Sequence, residues 1–148
     1  MKKLFLILSL LSVTSLFSQT NHFNGTWTKI NTTYEFDFEL VLNVKESNRV
    51  EGYFIWKVVR ADENNTFSKQ YYETRMGLIG KEYVKGTYNH AKGEYILKGY
   101  KKHDPHGIIG LDTYNLKLDE NGAIGGTTNA NGTWLGRIWG SQVKIDLL

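Results

Sequence analysis

Alternation of apolar and polar side chains at every second position constrains this chain more than any other feature. Between residues 35 and 44, five apolar side chains fall on one face, and Glu35, Asp37, Glu39 and Asn43 fall on the other. Successive side chains of a β-strand point to opposite faces, so this period indicates a strand with one buried face. The same period recurs along the chain, whereas helix-period stretches are hard to find. The pattern therefore predicts an all-β protein.

The predicted strands are short and are separated by turn sequences. They cover residues 25–30, 35–44, 50–59, 71–79, 82–89, 94–101, 112–118, 123–128, 133–139 and 142–147. Segments rich in Gly, Asn and Asp, such as 119–122, join these strands and are typical of hairpin turns. The polar segment 61–68 is the longest predicted loop.

Such strands must bury their apolar faces against each other, because no helix is predicted that could cover a sheet. Hairpin-length connections favour a closed meander, which also removes exposed sheet edges. We therefore expect a single antiparallel up-and-down β-barrel of about eight to ten strands, with a β-sandwich as the alternative. Gly52, Gly86 and Gly99 lie inside predicted strands. Glycine at such positions is typical of strands that bend or approach a neighbouring backbone closely.

The N-terminus predicts a targeting segment rather than part of the fold. Two lysines precede an apolar stretch that is shorter than a membrane span of about 20 residues and is interrupted by serines. We predict a signal peptide over residues 1–19 and the barrel domain over residues 20–148. A buried N-terminal helix or a membrane anchor is the alternative. Export by the Sec route would place a bacterial protein in the periplasm or outside the cell.

The amino-acid composition excludes several covalent modifications and classes of binding partner. The chain has no cysteine, which excludes disulfides and a lipoprotein acylated at its cleavage point. Without the two lysines of the signal, the 18 basic residues fall to 16 against 15 acidic residues, a net charge of +1. Nucleic-acid binding needs a clustered excess of cations, so we do not expect a nucleic-acid partner. No second apolar run of spanning length follows the signal, so we expect no membrane anchor in the mature chain.

Three features resemble the calycin superfamily, the small meander barrels that include lipocalins and avidin-like proteins. The sequence Asn-Gly-Thr-Trp at 24–27 is similar to the G-x-W that opens the first lipocalin strand, and Asp-Thr-Tyr at 112–114 is weakly similar to T-D-Y. Arg137 lies in the final third of the chain, as does the lipocalin arginine that packs over that tryptophan. The resemblance implies a ligand-binding barrel, closed at its base by a cation–π contact between Trp27 and Arg137.

Aromatic residues supply the candidate ligand site. Aromatic side chains inside a barrel offer large apolar area and flat faces for stacking, which suits a small hydrophobic or aromatic molecule. An arginine among them would anchor an anionic head group or simply face outward. The candidate lining residues are Phe36, Phe38, Leu40, Phe54, Trp56, Arg75, Tyr88 and Tyr114.

In the alternative hypothesis these side chains fill the core. The protein would then be a cell-envelope interaction module or accessory subunit. Outer aromatics such as Tyr53, Tyr72 and Trp139 would contact an envelope protein or a glycan.

The segment containing His103, Asp104 and His106 has the densest set of potential metal ligands. The alternative is a polar turn in which Asp104 bonds nearby backbone groups. The sequence contains no catalytic motif of the hydrolase, metalloprotease, P-loop or dinucleotide-binding types. We therefore predict a binding protein rather than an enzyme, without a cofactor.

Overall fold

Eight antiparallel strands form one closed barrel in the computed structural model, which describes residues 18–130, 132 and 134–144. Each strand pairs with the next along the chain, and the last pairs with the first. This topology confirms the all-β, up-and-down barrel and not the sandwich. The elements are β1 (Gln19–Lys29), β2 (Glu35–Val44), β3 (Arg49–Arg60), α1 (Thr66–Glu73), β4 (Ile79–Asn89), β5 (Glu94–His103), β6 (Thr113–Leu118), β7 (Ala123–Ala130) and β8 (Trp134–Gln142).

The inner faces of the strands form the core that the alternation predicts. In β2, every second residue from Phe36 to Val44 is buried, while Asp37 and Glu39 are exposed on the outer wall. β3 repeats the arrangement, with Phe54, Trp56 and Val58 on the inner face. Because all eight strands contribute alternate residues, the core lies inside the barrel.

The two ends of the barrel differ in their connections. At one end, short turns at 45–48, 90–93 and 119–122 join the strands. At the other end lie the longer segments 61–78, which contains α1, and 104–112. We call this second end the mouth, because long connections at one end of a barrel leave room for a site there.

The predicted strand over residues 71–79 is wrong, because α1 occupies its first three positions and β4 begins at Ile79. Asn65 caps the helix, its side chain accepting a hydrogen bond from the backbone N–H of Ser68 at 3.0 Å. Tyr72 then packs edge-on against Tyr34 with ring centroids 4.5 Å apart. The cap and the packing of Tyr72 against the buried rings of Tyr34 and Phe36 thus outweigh the β-propensity of these residues.

The predictions at both termini reach beyond the described residues. Residues 1–17, most of the predicted signal peptide, lie outside them, and so do residues 145–148, which include the last three positions of the predicted strand over 142–147. β8 itself extends to Gln142. Among the described residues, no helix has the length and apolar character needed to cross a membrane.

The contact of Arg137 with Trp27 requires correction. Trp27 faces inward and pairs with Ile138 of β8, whose side chain is also buried. Neighbouring residues of a strand face opposite sides, so Arg137 lies exposed on the outer wall. The inner side of β8 beside Trp27 is instead formed by Gly136, where a Cβ would lie 2.0 Å from the indole nitrogen. The barrel is therefore closed there by a tryptophan over a glycine.

Two of the predicted strand glycines, Gly52 and Gly86, are sites of close backbone approach, and Gly86 provides a test. A Cβ at Gly86 would lie 1.9 Å from the carbonyl oxygen of Ile96 on β5, so the two strands would have to separate. We expect Gly86→Ala to lower the free energy of unfolding by about 1–3 kcal/mol, measured by urea titration. Gly125→Ala is the control, because its Cβ would meet Ile138 at an ordinary 3.4 Å. Equal losses in the two variants would contradict this explanation.

Candidate functional site

A cavity of about 360 Å³ opens at the mouth of the barrel. Inner-face residues of the strands form its walls, and segment 104–112 and α1 form its rim. Its lining residues are Trp27, Phe36, Trp56, Tyr72, Glu82, Gly107, Ile108, Ile109, Gly110, Leu111, Asp112, Tyr114, Ala130 and Trp134.

Six aromatic residues line the cavity, and their rings pack against one another and against neighbouring rings. Phe36 contacts the edge of Trp27 with centroids 5.5 Å apart and meets Trp56 at 6.4 Å. Tyr34, behind the wall, packs against both Tyr72 and Trp134. Edge-to-face packing of this kind fixes the orientation of the rings and therefore the shape of the wall.

A buried carboxyl group lies in this apolar setting. Glu82, on the inner face of β4, is only 1% exposed. Its Oε2 accepts hydrogen bonds from the indole nitrogen of Trp56, at 3.2 Å, and from the hydroxyl of Tyr114, and its Oε1 accepts one from the backbone N–H of Asp112 at 2.9 Å. Gly99 on β5 leaves the necessary space, because a Cβ there would lie 1.9 Å from Glu82 Oε1.

Asp112 places a second carboxyl group beside the first. Its side chain is hydrogen-bonded to the Thr128 hydroxyl, which itself accepts a hydrogen bond from the indole nitrogen of Trp27 at 2.7 Å. These bonds connect segment 104–112, at the rim of the cavity, to its tryptophan wall.

Burial dominates the electrostatics of the two carboxyl groups. It raises the pKa of Glu82 to about 7, with a further contribution from the Asp112 charge, and it raises the pKa of Asp112 to about 6. Hydrogen bonds oppose both pKa shifts but do not cancel them. Among the described residues that line the cavity, none is Lys, Arg or His. The lining therefore supplies no positive charge to balance the pair.

Segment 104–112 is organised by Asp104. Its buried carboxylate accepts hydrogen bonds from the backbone N–H groups of Ile108, at 2.9 Å, and Ile109, at 3.0 Å, and from Lys102 Nζ at 3.3 Å. Burial alone raises the pKa of Asp104, but these bonds hold it below its usual value. The result is a tight turn that directs Ile108 and Ile109 to the rim of the cavity.

The structure has in segment 103–106 the polar turn that the sequence offered as the alternative to a metal site. His103 and His106 are exposed, while Asp104 is used by the backbone of its own loop. The described residues contain no group of three His, Cys, Asp or Glu side chains placed to hold a metal ion.

Arg75 lies outside the cavity, just after α1, and does not face the barrel interior. Its guanidinium donates hydrogen bonds to the carbonyl oxygens of Tyr71, at 2.6 Å, and His106, at 3.0 Å, and lies 3.5 Å from the centre of the Tyr71 ring. The Tyr71 hydroxyl donates to the carbonyl of Gly107 at 2.9 Å. Arg75 thus ties α1 to segment 104–112 and stabilises the rim.

The other predicted lining residues divide by depth. Three line the cavity: Phe36, Trp56 and Tyr114. Three are buried farther from the mouth, where side chains fill the barrel: Phe38, Leu40 and Phe54. Tyr88 lies near the opposite end, stacked on Tyr95 with centroids 4.2 Å apart. The candidate residues nearest the mouth therefore line a cavity, and those deeper in the barrel belong to its core.

Glu82 and the lining residues of segment 107–111 were not predicted from the sequence. A signal for Glu82 was present, because it falls in phase with Val84 on the inner face of the predicted strand over 82–89. Tyr72, expected on the outer surface, instead lines the cavity. Asp112 belongs to the segment compared with T-D-Y, but no pattern indicated that it would meet Glu82.

Comparisons with known proteins provide no relative: no protein-family model, no curated protein and no solved structure matches the chain. The closed eight-stranded meander is compatible with a calycin-like fold.

Proposed function

We propose that this protein is an exported, calycin-like barrel that binds a small, mostly apolar or aromatic molecule non-covalently. The observation that best supports this proposal is the cavity at the mouth of the barrel. Its volume of about 360 Å³ falls within the range of small-molecule sites, and aromatic walls with a few convergent polar groups are typical of them.

The internal order of the site supports binding with little rearrangement. Trp56 and Tyr114 are fixed both by ring packing and by hydrogen bonds to Glu82. The filled part of the barrel beyond them gives the cavity a floor, which limits the size of the ligand. A preformed site avoids the entropic cost of ordering side chains when the ligand binds.

Binding rather than catalysis is part of the proposal. Both carboxylate oxygens of Glu82 already accept hydrogen bonds from protein groups, which suits a polar anchor better than a free general base. We further propose that the N-terminal segment directs export by the Sec route to the periplasm or the extracellular space, without an acyl anchor. No cofactor is needed for this function.

An outer surface favours interaction with a glycan or an envelope protein as the second candidate function. Tyr53, Tyr83 and Tyr100 lie on the outer wall of β3–β5 beneath lysine side chains, with Lys81 Nζ 3.8 Å from the Tyr53 ring and Lys85 Nζ 5.0 Å from the Tyr100 ring. Aromatic faces with adjacent donors are suited to sugars and to protein partners.

Filling the cavity from its rim tests the ligand-binding proposal. We expect the neutral fluorescent probe N-phenyl-1-naphthylamine to bind the wild-type protein saturably, with enhanced emission. Leu111, at the rim, is 40% exposed, so a tryptophan there can enter the cavity without disturbing the core. Leu111→Trp is expected to weaken probe binding by about tenfold or more, equivalent to about 1.4 kcal/mol.

Leu135→Trp is the matched control, because Leu135 is 48% exposed and lies outside the lining. It should bind the probe as the wild type does. Absence of saturable binding to the wild type would reject the ligand-binding function and leave the outer tyrosine–lysine surface as the better candidate. Equal weakening in both variants would show that the probe binds elsewhere.

A further inference from the structure

The cavity has two acidic side chains and, among its described lining residues, no basic side chain to balance them. Glu82 and Asp112 both line it and are directly joined, since the backbone N–H of Asp112 donates to Glu82 Oε1. No basic residue is among the described lining residues. Lys102, near the end of β5 at the rim, donates hydrogen bonds to the Asp104 carboxylate and to the carbonyl of Ile109, the latter 2.5 Å long. Two acidic groups therefore share an apolar cavity without a counter-charge.

The aromatic wall favours the same sign of charge. Six of the lining residues are aromatic, and the negative faces of such rings attract cations, most strongly where water is excluded. Trp56 and Tyr114 both line the cavity and both donate hydrogen bonds to Glu82, so aromatic rings and the carboxyl group lie next to each other in it. Aromatic faces and acidic groups together form a site for a positive group.

We propose that the ligand is an organic cation, a protonated amine carried on an aromatic or apolar body, with its charge against Glu82 and Asp112. This inference rests on the proposed function above and names the ligand class of the same cavity. The apolar part of the ligand contacts the tryptophan and phenylalanine rings, and the ammonium group supplies the missing counter-charge. An anionic ligand would instead add a third negative group to the cavity.

Protonation of the free site gives the inference a second readout. The pKa of Glu82, raised by burial to about 7, means that this group is partly protonated at neutral pH in the free protein. The titratable groups facing it are Asp112 and Tyr114, while β3 contributes Trp56 and β5 contributes Gly99. A cation favours the ionised carboxylate, so binding near pH 7 should release protons.

Three probes of one shape test the charge preference: tryptamine, the neutral alcohol indole-3-ethanol, and the anion indole-3-acetate. Calorimetric titration at pH 7 is expected to show tryptamine binding at least about tenfold more tightly than the alcohol, and the acetate more weakly than the alcohol. Repeating the tryptamine titration in buffers of different ionisation enthalpy should show protons released to the buffer.

Removal of either carboxyl group should remove the preference. Asp112→Asn and Glu82→Gln are expected to reduce the ratio of amine to alcohol affinity to about threefold or less. Asp112→Asn is the more conservative variant, because Glu82 is the more deeply buried group. Asp37→Asn is the control, since it removes an exposed acidic group from the outer wall and should keep the full ratio.

Amine affinity no higher than alcohol affinity in the wild-type protein, including failure of both to bind, would overturn the cationic-ligand inference. Preservation of the amine preference in Asp112→Asn and Glu82→Gln would overturn it as well. Neither result affects the proposed function if N-phenyl-1-naphthylamine still binds and Leu111→Trp still excludes it. The two experiments therefore separate a wrong ligand class from a wrong function.

Discussion

Replacement of Trp27 by alanine is expected to lower the free energy of unfolding by about 3–5 kcal/mol, the usual cost of truncating a large buried aromatic residue. Trp27 is 7% exposed and packs edge-on against Phe36. Its indole N–H donates a buried hydrogen bond to Thr128, 2.7 Å long, which the truncation would also remove. Gly136, directly against the indole, cannot fill the space left behind.

Denaturant titration measures this loss, and Trp139→Ala is its matched control. Trp139 is 49% exposed on the outer wall, so its removal is expected to change the free energy of unfolding by less than about 1 kcal/mol. Similar losses of unfolding free energy in the two variants would show that Trp27 contributes no more to the stability of the barrel than an exposed tryptophan does. A loss below about 1 kcal/mol for Trp27→Ala would show the same.

The barrel was predictable because its strands are buried on one face only. In β2 the alternation from Glu35 to Val44 sets which residues face inward, and the structure keeps that phase along the whole strand. A slip of one residue would expose every side chain of the strand that is now buried, so the sequence pattern and the register support each other.

Two errors have tertiary causes. The segment 71–79 contains Tyr71 and Tyr72, which favour strands, yet a cap at Asn65 and packing of Tyr72 at the mouth make part of it helical. The contact of Arg137 with Trp27 was predicted only from the position of Arg137 late in the chain, where lipocalins have a similar arginine. The direction of Arg137 depends on the pairing of β8 with β1, which places Ile138 and not Arg137 beside Trp27. Neither the docking of a short helix nor the phase of one residue against a distant strand is visible locally.

The site was only partly predictable, for similar reasons. Phe36, Trp56 and Tyr114 were found because they belong to regular strands. Whether such residues line a cavity or fill it depends on the balance of side-chain volumes at each depth, which no single strand reveals. Asp112 reaches Glu82 only because segment 104–112 folds back over the mouth through the Asp104 turn.

Raising the pH from 5 to 8.5 is expected to destabilise the free protein. The pKa of Glu82 rises from its ordinary 4.5 to about 7 in the folded state, and that of Asp112 rises from 3.8 to about 6, chiefly because both are buried. The folded protein thus binds more protons than the unfolded chain in this interval. The stability that these two groups contribute is fully present below their ordinary pKa values. It is lost as the pH rises through their pKa values in the folded protein. For Glu82 alone the difference corresponds to about 3 kcal/mol.

Urea titrations across this pH range measure the slope, and the carboxyl variants locate its source. Glu82→Gln and Asp112→Asn should each flatten the decline, whereas Glu39→Gln, on the exposed face of β2, should leave it unchanged. Stability that is constant or increasing between pH 5 and 8.5 would contradict the burial of two unbalanced carboxyl groups. The same penalty underlies the selectivity that we propose for the cavity, because a bound cation would stabilise the ionised pair, which the empty barrel keeps only at a cost in folding free energy.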